Sequence, residues 1–237
     1  MRKFNRKNFE TREISIQKNF VENSDGSCLI CFGKTKVICT AMIDNDVPSW
    51  LKGKGTGWVT AEYGMLPGST SSRNRRESKV GKQTGRTTEI QRLIGRSLRS
   101  VIDLYSLGEK SIVVDCDVIQ ADGGTRTASI TGGFVALSLA IKEYMTSNKS
   151  IQNPIKDYVA AISCGIVKNQ VLVDLDYSED SIAEVDANFV ITQKSGFSEV
   201  QATGEENTFN KNELLEMMEK VELVSEKIFK IQKDALE

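Results

Sequence analysis

The chain has 237 residues, long enough for one large core or for two fused halves. Its 31 Lys and Arg against 32 Asp and Glu give a net charge of −1, so any nucleic-acid surface has to be local. Histidine is absent, which excludes Ser-His and Cys-His nucleophile pairs and His-ligated metals. No apolar run is long enough to span a membrane, and residues 1–8 lack the apolar core of a signal peptide.

In chain order, Glu13–Asn19, Ser27–Phe32 and Lys36–Ile43 read as strands, with a Gly33-Lys34 hairpin turn between the last two. The five cysteines, at 28, 31, 39, 116 and 164, fall mostly in such apolar runs, as expected of buried reduced thiols in a cytoplasmic protein. Cys28 and Cys31 have C-x-x-C spacing but no second pair, so neither zinc nor redox chemistry is expected there. A glycine-rich loop with Trp50, Lys52 and Lys54 precedes a short strand, Trp58–Tyr63.

Residues 68–85 carry almost no hydrophobic side chain and read as a long exposed loop. Arg73, Arg75, Arg76, Lys79 and Lys82 face one acid, Glu77. A helix is predicted over Thr88–Tyr105, with Thr88 and Gln91 as a capping box and Arg86 just before its first turn. Its face opposite the apolar stripe carries Arg92, Arg96, Arg99 and Asp103. Together these cations form a basic strip suited to phosphate backbones; without interleaved aromatics it should grip backbone rather than stack bases. A solvated loop, or one pairing with acids of a neighbouring subunit, would carry the same residues.

Ser111–Gln120 is rich in β-branched residues and reads as a strand, broken by Ala121-Asp122-Gly123-Gly124. From Thr125 a helix is predicted, with few charges before Lys142 and therefore buried. Two glycines before a helix let backbone N–H groups approach an oxyanion, while Thr125 adds a hydroxyl and Arg126 a forked cation. A tight turn alone would also use Gly-Gly. With Gly85-Arg86-Thr87-Thr88 this makes two glycine-flanked basic helix starts, read as halves of one phosphate site. Neither matches a Walker A loop or a dinucleotide-binding Gly-x-Gly-x-x-Gly.

Residues 147–157 form a polar connector between a first half, 1–146, and a second, 158–237. Tyr158–Val167 and Gln170–Asp174 read as strands. The acidic run Asp174, Asp176, Glu179, Asp180, Glu184, Asp186 follows, with Asp180 in a turn and Asp186 beginning the strand Ala187–Thr192. Carboxylates converging from a turn and a strand suit Mg²⁺ or a general acid, as well as a plain solvated loop. A strand Phe197–Ala202 and a long helix capped by Asn210 and Glu213 end the chain. Both halves run from strands to a helix, so a duplicated α+β unit is expected.

Several long ordered runs carry a resemblance: Gly57-Trp-Val-Thr-Ala-Glu-Tyr-Gly-Met-Leu-Pro67, residues 81–99, Asp115-Cys-Asp-Val-Ile-Gln-Ala-Asp-Gly-Gly-Thr-Arg126 and residues 174–186. They make the chain resemble the ribonuclease PH family of phosphorolytic exoribonucleases over essentially its whole length. The resemblance implies an α+β fold shared with the ribosomal protein S5 domain. It implies removal of 3′-terminal nucleotides from tRNA precursors by inorganic phosphate, and a homohexameric trimer of dimers. By the same resemblance Arg86, Gly124, Thr125 and Arg126 bind phosphate, and Asp180 and Asp186 are catalytic or hold Mg²⁺. Arg73 and Arg76 contact RNA, with Arg92, Arg96 and Arg99 as further contacts. Gly68 stands where the family usually has Arg, a loss for which Arg75 is the available compensation. The alternative reading is a non-catalytic RNA-binding subunit of an exosome-like ring. A hydrolytic nuclease fits the paired anion sites less well, and a small-molecule kinase would need a nucleotide loop that is not found.

Overall fold

The computed structural model describes residue 2 and residues 5–148, 152–205 and 207–237. The fold is α+β, with two sheets that share one hydrophobic core. Strands β1 (Ile14–Lys18), β2 (Gly26–Phe32) and β3 (Thr35–Asp44) form an antiparallel meander. Their period-2 pattern sends Cys28, Ile30, Phe32, Val37, Cys39 and Ala41 to the buried face. Strand β5 (Ser111–Gln120) pairs antiparallel with β3, and β4 (Trp58–Met65) lies parallel to β5 at the sheet edge.

Between β4 and β5 lie three helices, α1 (Glu77–Val80), α2 (Gly85–Ser100) and α3 (Leu104–Leu107). Helix α4 (Thr125–Ser147) then packs across β2 and β3. Small residues make this approach possible: a Cβ on Gly132 would lie 2.6 Å from Ile30 Cγ2, and one on Gly26 would collide with the α4 backbone at Ala136 and Ala140.

The other side of α4 meets β6 (Val159–Val167), in which every residue is buried because α6 (Lys211–Leu236) covers it as well. The second sheet, order β7-β6-β8-β9, is antiparallel throughout and adds β7 (Gln170–Val173), β8 (Val185–Thr192) and β9 (Gly196–Gly204). One-turn helix α5 (Tyr177–Asp180) stands between β7 and β8. Gln232 of α6 ties the layers together by donating to the carbonyls of Thr131 and Val159. Among the described residues no helix is long and apolar enough to cross a membrane.

Three expectations need correction. The helix predicted from Thr88 begins at Gly85, because Thr84, not Thr88, accepts the N–H of the third helical residue, Thr87. It ends at Ser100 rather than Tyr105, and Asp103 caps the separate α3 by accepting from Tyr105 and Ser106. The basic loop contains the single turn α1, and the strand expected to begin at Asp186 starts one residue earlier, at Val185. The connector's residues 149–151 lie outside the described residues.

Overpacking the β2–α4 seam should be costly. Gly26→Ala is expected to lose about 1–3 kcal/mol, lowering Tm by roughly 3–10 °C. Gly68→Ala, with open space around it, should leave thermal unfolding unchanged.

Candidate active site

Helix α4 opens on two left-handed glycines, Gly123 (φ 79°) and Gly124 (φ 65°). A Cβ on Gly123 would sit 2.6 Å from the Leu175 carbonyl oxygen and 2.8 Å from Tyr177 N, so this loop presses directly on the backbone that leads into α5. No side chain caps α4, whereas Thr84, Asp176 and Asn210 cap α2, α5 and α6. The start of α4 therefore presents its dipole and first N–H groups to whatever anion arrives. Thr125 is buried and shares a 2.8 Å hydrogen bond with the hydroxyl of Tyr63. Arg126 is half-buried, 3.5 Å from Gln201 Oε1 and 3.8 Å from Glu89 Oε1.

The second helix start is built differently. Glu77 accepts from Thr84 N (3.1 Å) and Thr87 Oγ1 (2.7 Å), fastening the basic loop to the first turn of α2. Arg86 lies within that turn, exposed and without a hydrogen bond or ion pair among the described residues. It lines a cavity of about 600 Å³ together with Tyr63, Arg75, Arg76, Lys82 and Asp117.

The acids come from the second sheet. Asp176 and Glu179 form a capping box at α5, which ends on Asp180. Asp186 lies one strand in, opposite Thr203 of β9, and Glu205 follows at the end of that strand. Burial raises the Asp180 pKa above the ordinary carboxylate range; Arg86 and Arg126 oppose the rise and Glu205 adds to it. Burial and the neighbouring charge of Asp180 raise Asp186, with Arg126 again opposing. Two carboxyls that hold their protons more readily than usual thus face two guanidiniums across the start of α4.

Arg86, Gly124, Thr125, Arg126, Asp180 and Asp186 are brought together. Arg75 and Arg76 line the adjoining cavity, while Arg73 is exposed outside it. The other three arginines belong to a separate groove of about 340 Å³ between α2 and β4. There Arg96 pairs with Glu199 at 2.7 Å, and Arg99 donates to the Val59 carbonyl at 2.7 Å while lying 4.2 Å over the Trp58 ring. Of these three only Arg92 lacks a partner among the described residues. The strip expected to lack aromatics therefore has Trp58 beside it, since edge strand β4 runs along α2. Sequence reasoning also missed Tyr63, Glu205 and Arg12. Glu205 was legible only through the β8–β9 register, and Arg12 carries no local motif.

A profile of the 3′ exoribonuclease family, domain 1, matches residues 10–143, and one of the same family, domain 2, matches residues 157–220. Among solved structures, the rice (Oryza sativa) Rrp46 is similar, at 18% identity over 100% of both chains with a TM-score of 0.81. So is a chain of the Archaeoglobus fulgidus exosome with RNA bound to the active site, at 18% identity, 95% of this chain, 90% of that one and a TM-score of 0.79. An archaeal exosome core chain is similar at 20% identity, 96% and 89% coverage, and a TM-score of 0.74.

Because their pKa values are raised, Asp180 and Asp186 favour folding below the unfolded carboxylate range. That contribution is lost as pH rises through their folded values. Asp186→Asn is accordingly expected to raise Tm by about 2–4 °C at pH 7, with the difference vanishing near pH ~3. Thermal unfolding across pH checks this; a lower Tm at pH 7 would mean that the attraction of Arg126 and Arg86 outweighs burial.

Proposed function

Because the chain belongs to the 3′ exoribonuclease family in both of its domains, we propose that it is a phosphorolytic 3′–5′ exoribonuclease. In this reading it shortens RNA, tRNA precursors among its substrates, with inorganic phosphate as acceptor. The observation that carries it is the uncapped start of α4, flanked by Arg126 and Arg86 and faced by two carboxyls.

The chemistry needs no histidine. A phosphate oxygen attacks the phosphorus of the last phosphodiester, the bond to the 3′ oxygen of the preceding nucleotide breaks, and a nucleoside diphosphate leaves. Arg126, Arg86, Thr125 and the first N–H groups of α4 hold the phosphate and screen repulsion between two anions. Asp180, with its raised pKa, is placed to give the departing 3′ oxygen its proton. Alternatively, ionised Asp180 and Asp186 would hold Mg²⁺, which takes one or two carboxylates and keeps waters, and which when bound would neutralise charge on the scissile phosphate. Among the described residues no group of three or more Asp, Glu or Cys side chains is arranged to hold a metal ion. RNA enters along Arg73, Arg75 and Arg76. A trimer of dimers belongs to the same reading.

A second reading has its own support. The similar structures are an Rrp46 and chains of archaeal exosomes, which favours an RNA-binding subunit of an exosome-like ring over a dedicated tRNA-trimming enzyme. An RNA with a free 3′ extension, incubated with Mg²⁺ with and without inorganic phosphate, separates the two. Phosphate-dependent release of nucleoside diphosphates supports phosphorolysis; bound RNA without product supports the ring subunit. Monophosphates formed without phosphate would indicate a hydrolase and overturn both.

Arg126→Ala is expected to lower turnover by about 10²–10³-fold with RNA affinity nearly intact. Loss of RNA binding with normal phosphate affinity would overturn its role. Arg73→Ala should weaken RNA binding and reduce the salt slope by about 0.7 for single-stranded RNA; an unchanged slope would count against a phosphate contact there.

A further inference from the structure

The two parts of the site come from different sheets, and the segment that joins them is the N-terminal arm, residues 5–13. Arg12, almost wholly buried, grips Asp174 with its backbone N–H (2.7 Å), Nε (3.0 Å) and Nη2 (2.6 Å). The same guanidinium donates to the carbonyls of Asp122 (2.6 Å) and Gly123 (3.4 Å). Thr35 Oγ1 reinforces that grip, accepting from Asp122 N (2.9 Å) and donating to the Gly123 carbonyl (2.7 Å). Arg6, also buried, lies 3.5 Å from the Asp174 carboxylate and 3.2 Å from that of Glu179, the residue before Asp180. The arm's backbone is seated by Val173 N donating to the Asn8 carbonyl at 2.8 Å.

In a trans peptide the C=O and the following N–H point in opposite directions. With the carbonyls of Asp122 and Gly123 turned to Arg12 and Thr35, the N–H groups of Gly123 and Gly124 point away from them. Neither makes a hydrogen bond among the described residues. The strut thus leaves two donors free at the start of α4, next to Thr125 and Arg126.

We propose that the N-terminal arm is part of the site: Arg12 positions the anion loop, Arg6 positions the turn that carries Asp180, and Asp174, shared by both, sets the distance between them. Both are positioning residues and touch no substrate. The inference rests on the phosphate-binding reading above, and its consequence is a split. Arg12 acts on phosphate affinity, because it orients the donors. Arg6 acts on the maximal rate, because it holds the turn that carries Asp180 and not the anion loop.

The test is isothermal titration of the full chain with inorganic phosphate, together with single-turnover rates at saturating phosphate, for wild type, Arg12→Lys, Thr35→Val and Arg6→Lys. Arg12→Lys is expected to weaken phosphate binding about tenfold or more, and Thr35→Val, which keeps shape and loses only the hydroxyl, to weaken it in the same direction. Arg6→Lys should leave phosphate affinity within twofold while lowering the rate. Gly26→Ala serves as a control that loses stability without touching the arm, and its phosphate affinity should match wild type. Should Arg12→Lys fail to fold, Thr35→Val carries the test. Wild-type binding with an unchanged affinity in folded Arg12→Lys or Thr35→Val overturns the inference alone. So does an affinity loss that merely tracks stability, Gly26→Ala included. A wild-type protein that does not bind phosphate overturns the functional reading and this inference with it.

Discussion

Helix α4 is buried along most of its length, and a buried helix start ordinarily needs its free N–H groups satisfied by a side-chain cap. Here Gly124 occupies the cap position and supplies none. The surrounding architecture follows from keeping that end open yet supported. The glycines accept left-handed backbone so that the loop can lie against residues 175–177. Tyr63 holds the Thr125 hydroxyl from β4, and Arg12 and Thr35 hold the loop's carbonyls from behind. Support comes from every side except the one an anion would use.

Electrostatics sets the acids near the start of α4 apart from those that anchor the fold. Burial raises the pKa values of Asp180 and Asp186, Glu205 adds to both and the charge of Asp180 to that of Asp186, and the two guanidiniums only partly offset the rise. The opposite pattern holds one residue earlier. Burial pushes Glu179 up, but the Arg2 side chain and the Asp176 N–H outweigh it, and its pKa falls. Arg12 shows the same competition: burial works against its charge, Asp174 prevails, and its pKa is raised. Glu179 and Arg12, which anchor, are thus held more firmly ionised, whereas Asp180 and Asp186 are compensated only in part.

Much of this was legible because it is local. Ser111–Gln120 has the observed bounds of β5, since its β-branched run ends abruptly at the Gly-Gly turn. Asn210 and Glu213 form the expected capping box on α6. Where two local signals compete, local reasoning fails: Thr84 and Thr88 both suit a cap, and the choice falls to Thr84 because Glu77, from the preceding loop, braces its N–H and the Thr87 hydroxyl. The Arg96 and Arg99 face looked free for RNA for a similar reason. Their partners, Glu199, Val59 and Trp58, are distant in sequence and arrive only through packing. Arg12 is the extreme case, an isolated cation whose role depends on Asp174, 162 residues away.

Rigidity is divided along the same lines as chemistry. The residues proposed to face the reacting phosphates sit at the starts of α2 and α4, at the end of α5 and in β8, and buried ion pairs pin the segment that leads into α5. The cations proposed to contact RNA lie on residues 70–84, which have no core of their own and are held by few bonds: Asn74 to Pro67 and Thr70, and Glu77 to the start of α2. Backbone contacts with a polyanion tolerate such softness, because Coulomb attraction depends weakly on orientation, whereas in-line attack at phosphorus does not. This also limits what Gly68 costs. It lies in open space at the beginning of that loop, and Arg75 and Arg76 already line the cavity that Arg86 enters. A missing arginine there removes one interchangeable charge from a soft strip and leaves the rigid part of the site as it is.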